Sequence, residues 1–167
     1  MRITLDERTK TECRKLQQNT YEVNGQLSFD ESGQVSNIDY QKGQQMKPCY
    51  NGCLVNFHTH PSDYDTLYPD HPSTTDYKYI FSSTCSMREL GAHVIFTPRF
   101  IYIINYRCSD FWGSILNFIF MNSKIDDKFN SISNNISRNS EKFRIAYEKA
   151  MSILGFNIHR FEWSDDI

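Results

Sequence analysis

Two spacings of apolar residues alternate along the chain, and the change from one to the other marks out its elements. Residues 21–29 place apolar side chains at every second position, and residues 35–40 return as a second strand after the turn-forming cluster at 30–33, which predicts a strand pair. Residues 53–58 (CLVNFH) are a short, largely apolar run of the kind buried within a sheet. Residues 92–96 and 100–106 are rich in β-formers and meet around Thr97-Pro98-Arg99, predicting a hairpin, and residues 156–163 predict a closing strand. Helical spacing is clearest over 140–154. There Phe143, Ala146, Tyr147, Ala150, Ile153 and Leu154 fall on one stripe, Glu141 sits early, and Gly155 ends the run.

Three further segments complete the pattern. Residues 5–18 are polar and rich in good helix formers, which predicts a solvated N-terminal helix. Ser73 is placed as the N-cap of a helix that carries Asp76 in its first turn and continues over 77–90. Residues 108–124 are apolar enough for a buried helix or an interface segment, whereas 125–137, rich in Asn and Ser, read as a mobile loop. With no internal repeat and no linker, residues 1–167 read as one α/β domain, a mixed, curved sheet flanked by helices.

Composition narrows the function classes. A chain of 167 residues with 39% hydrophobic and 14% aromatic content can bury a core of its own. A net charge of -2 and a pI of about 6.2 give no basic footprint, so a nucleic-acid partner is not expected. Residues 1–18 lack the apolar centre of a signal peptide. The longest apolar run, 111–121, is interrupted by Gly113, Ser114 and Asn117 and is too short to cross a bilayer. Both point to a soluble protein of the cytoplasm or nucleus, without a membrane partner. The five cysteines (Cys13, Cys49, Cys53, Cys85, Cys108) show no framework spacing and read as free thiols of a reducing compartment. Phe111, Trp112, Phe118 and Phe120 read as core; if exposed, segment 111–121 would dock a protein partner or a second copy of the chain.

The candidate chemistry lies in residues 57–76, FHTHPSDYDTLYPDHPSTTD. His58 and His60, two apart at the end of a strand, project to one face and can converge on one ion. A catalytic zinc commonly takes three protein ligands and leaves a position for water, so one more ligand is needed. Asp76 is the leading candidate, in a helical first turn where the dipole favours a carboxylate; Asp63, Asp65, Asp70 and His71 compete from the loop. Hydrolysis also needs a base off the metal. Glu22, a carboxylate in a strand, is the first choice, with Glu12 and Glu31 as alternatives. Ser73 could donate its hydroxyl to a developing oxyanion, although Ser-x-x-Asp is also a capping box in its own right. His93 and His159, remote in sequence, read as non-ligands.

Taken in order, Glu22-x-x-Gly25-x-Leu27, His58-Thr59-His60-Pro61 and Pro72-Ser73-x-x-Asp76 resemble the motif of the JAMM (MPN+/JAB1) metalloproteases, over roughly residues 5–106. The pattern is also similar to the RadC-like and prokaryotic or phage branch of that family. The resemblance implies one Zn2+ ion on His58, His60 and Asp76, Glu22 as general base and proton shuttle, and Ser73 as oxyanion stabiliser. It further implies hydrolysis of an isopeptide or peptide bond in a ubiquitin or ubiquitin-like conjugate. Residues 62–72 exceed the family's usual spacing, and would set Tyr64, Leu67, Tyr68 and His71 as a lip at the mouth of the site. A scaffold protein on the same fold is the competing class, but inactive members typically lack ligands that this chain keeps. Barrel hydrolases with H-x-H need about 250 residues. Nucleobase deaminases need H-x-E with P-C-x-x-C, which this sequence lacks.

Overall fold

A computed structural model describes residues 3–43, 55–61, 70–84, 91–106 and 111–167, with the side chains of 111–119 outside that set. The elements run α1 (Glu7–Gln17), β1 (Val23–Phe29), β2 (Val35–Lys42), β3 (Val55–Thr59), α2 (Thr74–Ser82), β4 (Ala92–Phe96), β5 (Phe100–Tyr106), α3 (Phe111–Ser133), α4 (Glu141–Ile153) and β6 (Phe156–Glu162). The six strands form one sheet in the order β2-β1-β3-β4-β5-β6. Only β3 and β4 are parallel; the other neighbours are antiparallel. A parallel pair needs a crossover, and α2 lies in that connection. The expected mixed sheet with helices is what forms.

Alternation along the strands divides the sheet into two faces. Leu27, Val55, Phe57, Val94, Phe96, Ile101 and Ile103 pack with Cys13 and Leu16 of α1. The intervening positions Ile95, Tyr102 and Ile104 pack with α2, α3 and α4 through Tyr77, Phe81, Phe143 and Tyr147. On β3 the second face carries Asn56 and His58, both almost fully buried. The central strand is therefore apolar towards α1 and polar towards α2. Neither core is complete without the sheet between them.

Asp6 caps α1, its side chain accepting from the Thr9 N–H. That helix is less solvated than its sequence suggests, since Thr9, Lys10, Cys13, Leu16 and Gln17 are buried. Two of its buried side chains reach across the fold: Lys10 Nζ donates to the Asp165 carbonyl at 2.9 Å and Gln17 Nε2 to the His60 carbonyl at 3.0 Å. Burial pushes the Cys13 thiol up to about 12, with a further contribution from Glu12, so it is a packing group. Cys49, Cys53, Cys85 and Cys108 lie outside the described residues.

Further expectations from the sequence are corrected on α3 and α4. Residues 125–133 are no loop: α3 continues to Ser133, and Met121, Ile125, Phe129 and Ile132, with Ile136 in the turn that follows, carry one narrow apolar stripe onto the core. The abundant Asn and Ser residues occupy the other faces of the helix and hide that stripe. On α4, Phe143, Tyr147 and Ala150 are buried as expected, but Ile153 is 72% exposed and Met151 takes the inward position instead. Phe120, from the segment expected in the core or at an interface, is 57% exposed. Among the described residues no helix is long and apolar enough to cross a membrane.

Candidate metal centre

The site is assembled where the end of β3 meets the start of α2. His58 occupies the face of β3 that looks towards α2, and its strand is held on one side by Asn24 of β1 and on the other by Ile95 of β4. His60 follows the strand, and its N–H donates to the Phe96 carbonyl at 2.8 Å, extending the parallel ladder by one bond. Asp76 arrives from the other direction. Ser73 is the N-cap of α2 and accepts from the Asp76 N–H at 3.2 Å, while the Asp76 Oδ2 accepts from the Ser73 N–H at 2.6 Å. This reciprocal capping box fixes the carboxylate's rotamer as well as the helix start.

The three side chains converge. His58 Nε2 lies 3.0 Å from His60 Nε2 and 3.2 Å from Asp76 Oδ1, and His60 Nε2 lies 3.5 Å from Asp76 Oδ2. Two donors each about 2.1 Å from an ion at a tetrahedral angle are separated by about 3.4 Å, so these spacings suit a small cation. All three residues are buried, at 3%, 1% and 4% exposure, and together they could hold a metal ion. The donor set of two imidazoles and a carboxylate is of the kind that binds first-row divalent metals. Burial alone would raise the Asp76 carboxyl. The His58 charge, with hydrogen bonds from His58 and His60, overcomes it and holds the group well below the usual carboxylate range. Asp76 is thus poised as an anion.

Behind this trio lies a histidine that sequence reasoning set aside. His93 Nε2 is 2.7 Å from His58 Nδ1, and His93 Nδ1 meets Asn56 Oδ1. Asn56 Nδ2 in turn donates to the Tyr79 hydroxyl at 2.6 Å. Burial, reinforced by the neighbouring His58 charge, drives the His93 pKa well down, so its ring is neutral. The signal was present in AHVIF: alternation puts His93 on the α2 face, where the register pairs it with Asn56.

The remaining candidates fall into place around this group. Glu22 precedes β1 by one residue, and its carbonyl accepts from the Gly43 N–H at 3.0 Å, continuing the β1–β2 ladder. The β1–β3 pairing ends at Asn24 and His58, two residues short of Glu22 and His60, and the Glu22 carboxylate is not one of the three converging donors. Ser73 is half-buried at the helix start. Asp70 is turned elsewhere, accepting from the Arg99 N–H at 3.1 Å. Glu12 and Glu31 are exposed and His159 stands on β6 in solvent. Asp63, Asp65, Tyr64, Leu67 and Tyr68 lie outside the described residues.

His71 departs from expectation. It is no exposed lip but 3% exposed, packed on Phe143 and Tyr147 with ring centroids 5.1 and 5.7 Å away. The reason is α4, whose aromatic stripe covers the residues leading into α2. Burial, with some help from the His60 charge, lowers its pKa to about 4.

No protein-family model matches the chain, and comparison with curated proteins and with solved structures gives no match either.

Proposed function

We propose that the chain is a zinc-dependent peptidase or isopeptidase of the JAMM type, and that its substrate is a ubiquitin or ubiquitin-like conjugate. The observation that carries this reading is the convergence of His58, His60 and Asp76 from a strand end and a helix start. Their order and element placement are those of the motif the sequence resembles. His58, His60 and Asp76 would hold the zinc ion, which would supply Lewis acidity for water activation and carbonyl polarisation.

The chain's own groups divide the remaining work. Glu22, two residues before the Asn24–His58 pair, takes a proton from the attacking water and returns it to the leaving amine. Ser73 Oγ already accepts from the Asp76 N–H, which leaves its hydroxyl proton free to donate to the attacked carbonyl oxygen as charge develops there. Asp76 stays ionised and held at Oδ2 by the Ser73 N–H, so the ligand set does not have to reorganise.

The test is zinc analysis of the purified chain, followed by a panel of ubiquitin, ubiquitin-like and short peptide conjugates. One zinc per chain is expected, and Glu22→Gln should keep the metal while lowering turnover by about 10²–10⁴-fold. Cleavage by Glu22→Gln at the parent rate would remove Glu22 from the mechanism. A parent that binds no metal, and in which His58→Ala changes nothing, would be a scaffold.

A further inference from the structure

Tyr79, Asn56, His93 and His58 form a line of hydrogen bonds, and the placement of the Asn56 amide sets its direction. The Asn56 NH2 group donates to the Tyr79 hydroxyl at 2.6 Å, which turns the amide oxygen towards His93 Nδ1. An amide oxygen can only accept, so the His93 ring proton sits on Nδ1. His93 Nε2 is then a bare lone pair, 2.7 Å from His58 Nδ1, and it can only accept. His58 must therefore carry a proton on Nδ1, which makes Nε2, on the side of His60 and Asp76, the nitrogen left for a metal to take.

We infer that His93, set by Asn56, is a positioning residue that fixes His58 in the tautomer able to ligate a metal through Nε2. This rests on the reading of His58, His60 and Asp76 as a metal site. Ligating histidines commonly donate their other ring N–H to a carboxylate, a backbone carbonyl or water. Here the acceptor is a neutral imidazole, which orients the ligand without adding a second buried anion beside Asp76. It also explains two polar residues on the α2 face of the sheet, where Ile95, Tyr102 and Ile104 are otherwise apolar. The reversed chain, with His93 donating from Nε2, would protonate His58 on the wrong nitrogen and close the site to metal.

The experiment uses the full chain loaded with zinc or cobalt(II). Ring-nitrogen NMR of the zinc form should find solvent-protected protons on Nδ1 of both His58 and His93. Breaking the line with His93→Leu should weaken zinc binding by about 10–100-fold, measured against a chromophoric chelator, and shift the cobalt visible spectrum. A glutamine can accept from His58 and donate to Asn56, so His93→Gln should hold zinc within about threefold of the parent, a rescue that a purely packing role would not give. A His93 proton on Nε2, or a His93→Leu protein with the parent's zinc affinity and cobalt spectrum, overturns the inference while the metal site stands. A parent that binds neither metal overturns both. If His93→Leu does not fold, the parent's ring-proton assignment decides the matter.

Discussion

Ser73 and Asp76 hold each other at the first turn of α2, each backbone N–H bonded to the other's side chain. One pair of residues thereby both starts a helix and aims a carboxylate. Ser73→Ala should cost about 1 kcal/mol of stability through the lost cap. On the proposed mechanism it should also lower turnover by about 10²–10³-fold. Ser73→Thr, which can cap and donate, should recover most of both. Denaturation midpoints and turnover measured on the same preparations separate the two losses.

Metal should stabilise the fold, because the three donors come together only in the native state. At free zinc about 100 times the dissociation constant, the gain is about 2.7 kcal/mol. For a domain of this size that corresponds to a rise in Tm of roughly 5–10 °C. Thermal melts with zinc and with a chelator should show that difference, and His58→Ala should abolish it. A chelator that leaves the parent's Tm unchanged would argue against a metal site.

Gly25 is the residue of β1 that lies between Tyr40 and Phe57, and a side chain there has nowhere to go. A Cβ would stand 2.9 Å from both Phe57 Cε1 and Tyr40 Cα and press on the Asp39 carbonyl oxygen. Backbone on one side cannot yield as a flexible side chain would. Gly25→Ala should therefore cost at least the 1–3 kcal/mol typical of overpacking, seen as a lower urea midpoint with an unchanged slope.

Acid should find His71. Folded, its pKa is about 4; unfolded, it returns to the ordinary histidine value of about 6.5. Between those values the unfolded chain binds more protons, so stability declines as pH falls from about 6.5 to about 4 and levels off below. The loss is at most about 3 kcal/mol. In chelator-treated protein, His71→Phe should flatten the fall between pH 7.5 and 4.5 that the parent shows in urea. An identical fall in both would clear His71 of the effect.

Strands and short helices were legible in the sequence because each has a strong local signature. The alternation of 92–106, the Ser73 cap and the Gly155 stop, where φ reaches 100°, all needed no tertiary information. The ligand trio was legible for the same reason, its spacing matching a strand end and a helix start. What was not legible depended on neighbours. The later half of α3 exposes more Asn and Ser than it buries Ile and Phe, so only its packing on α2 and α4 shows which residues matter. His71 looked polar and loop-borne until α4 covered it, and His93 looked isolated until the parallel ladder set it beside Asn56.

The placement of α2 between the parallel strands β3 and β4 has a consequence for how the chain reaches this structure. His58, Asp76 and His93 all belong to that one unit, so a cation gripping the first two closes a short stretch of chain. Closing a short loop costs little entropy, and contacts of low sequence separation tend to form early. A cation held there would let the β3–α2–β4 unit gather before β2 and β6 arrive, so that on the proposed reading metal would guide folding order as well as serve the chemistry.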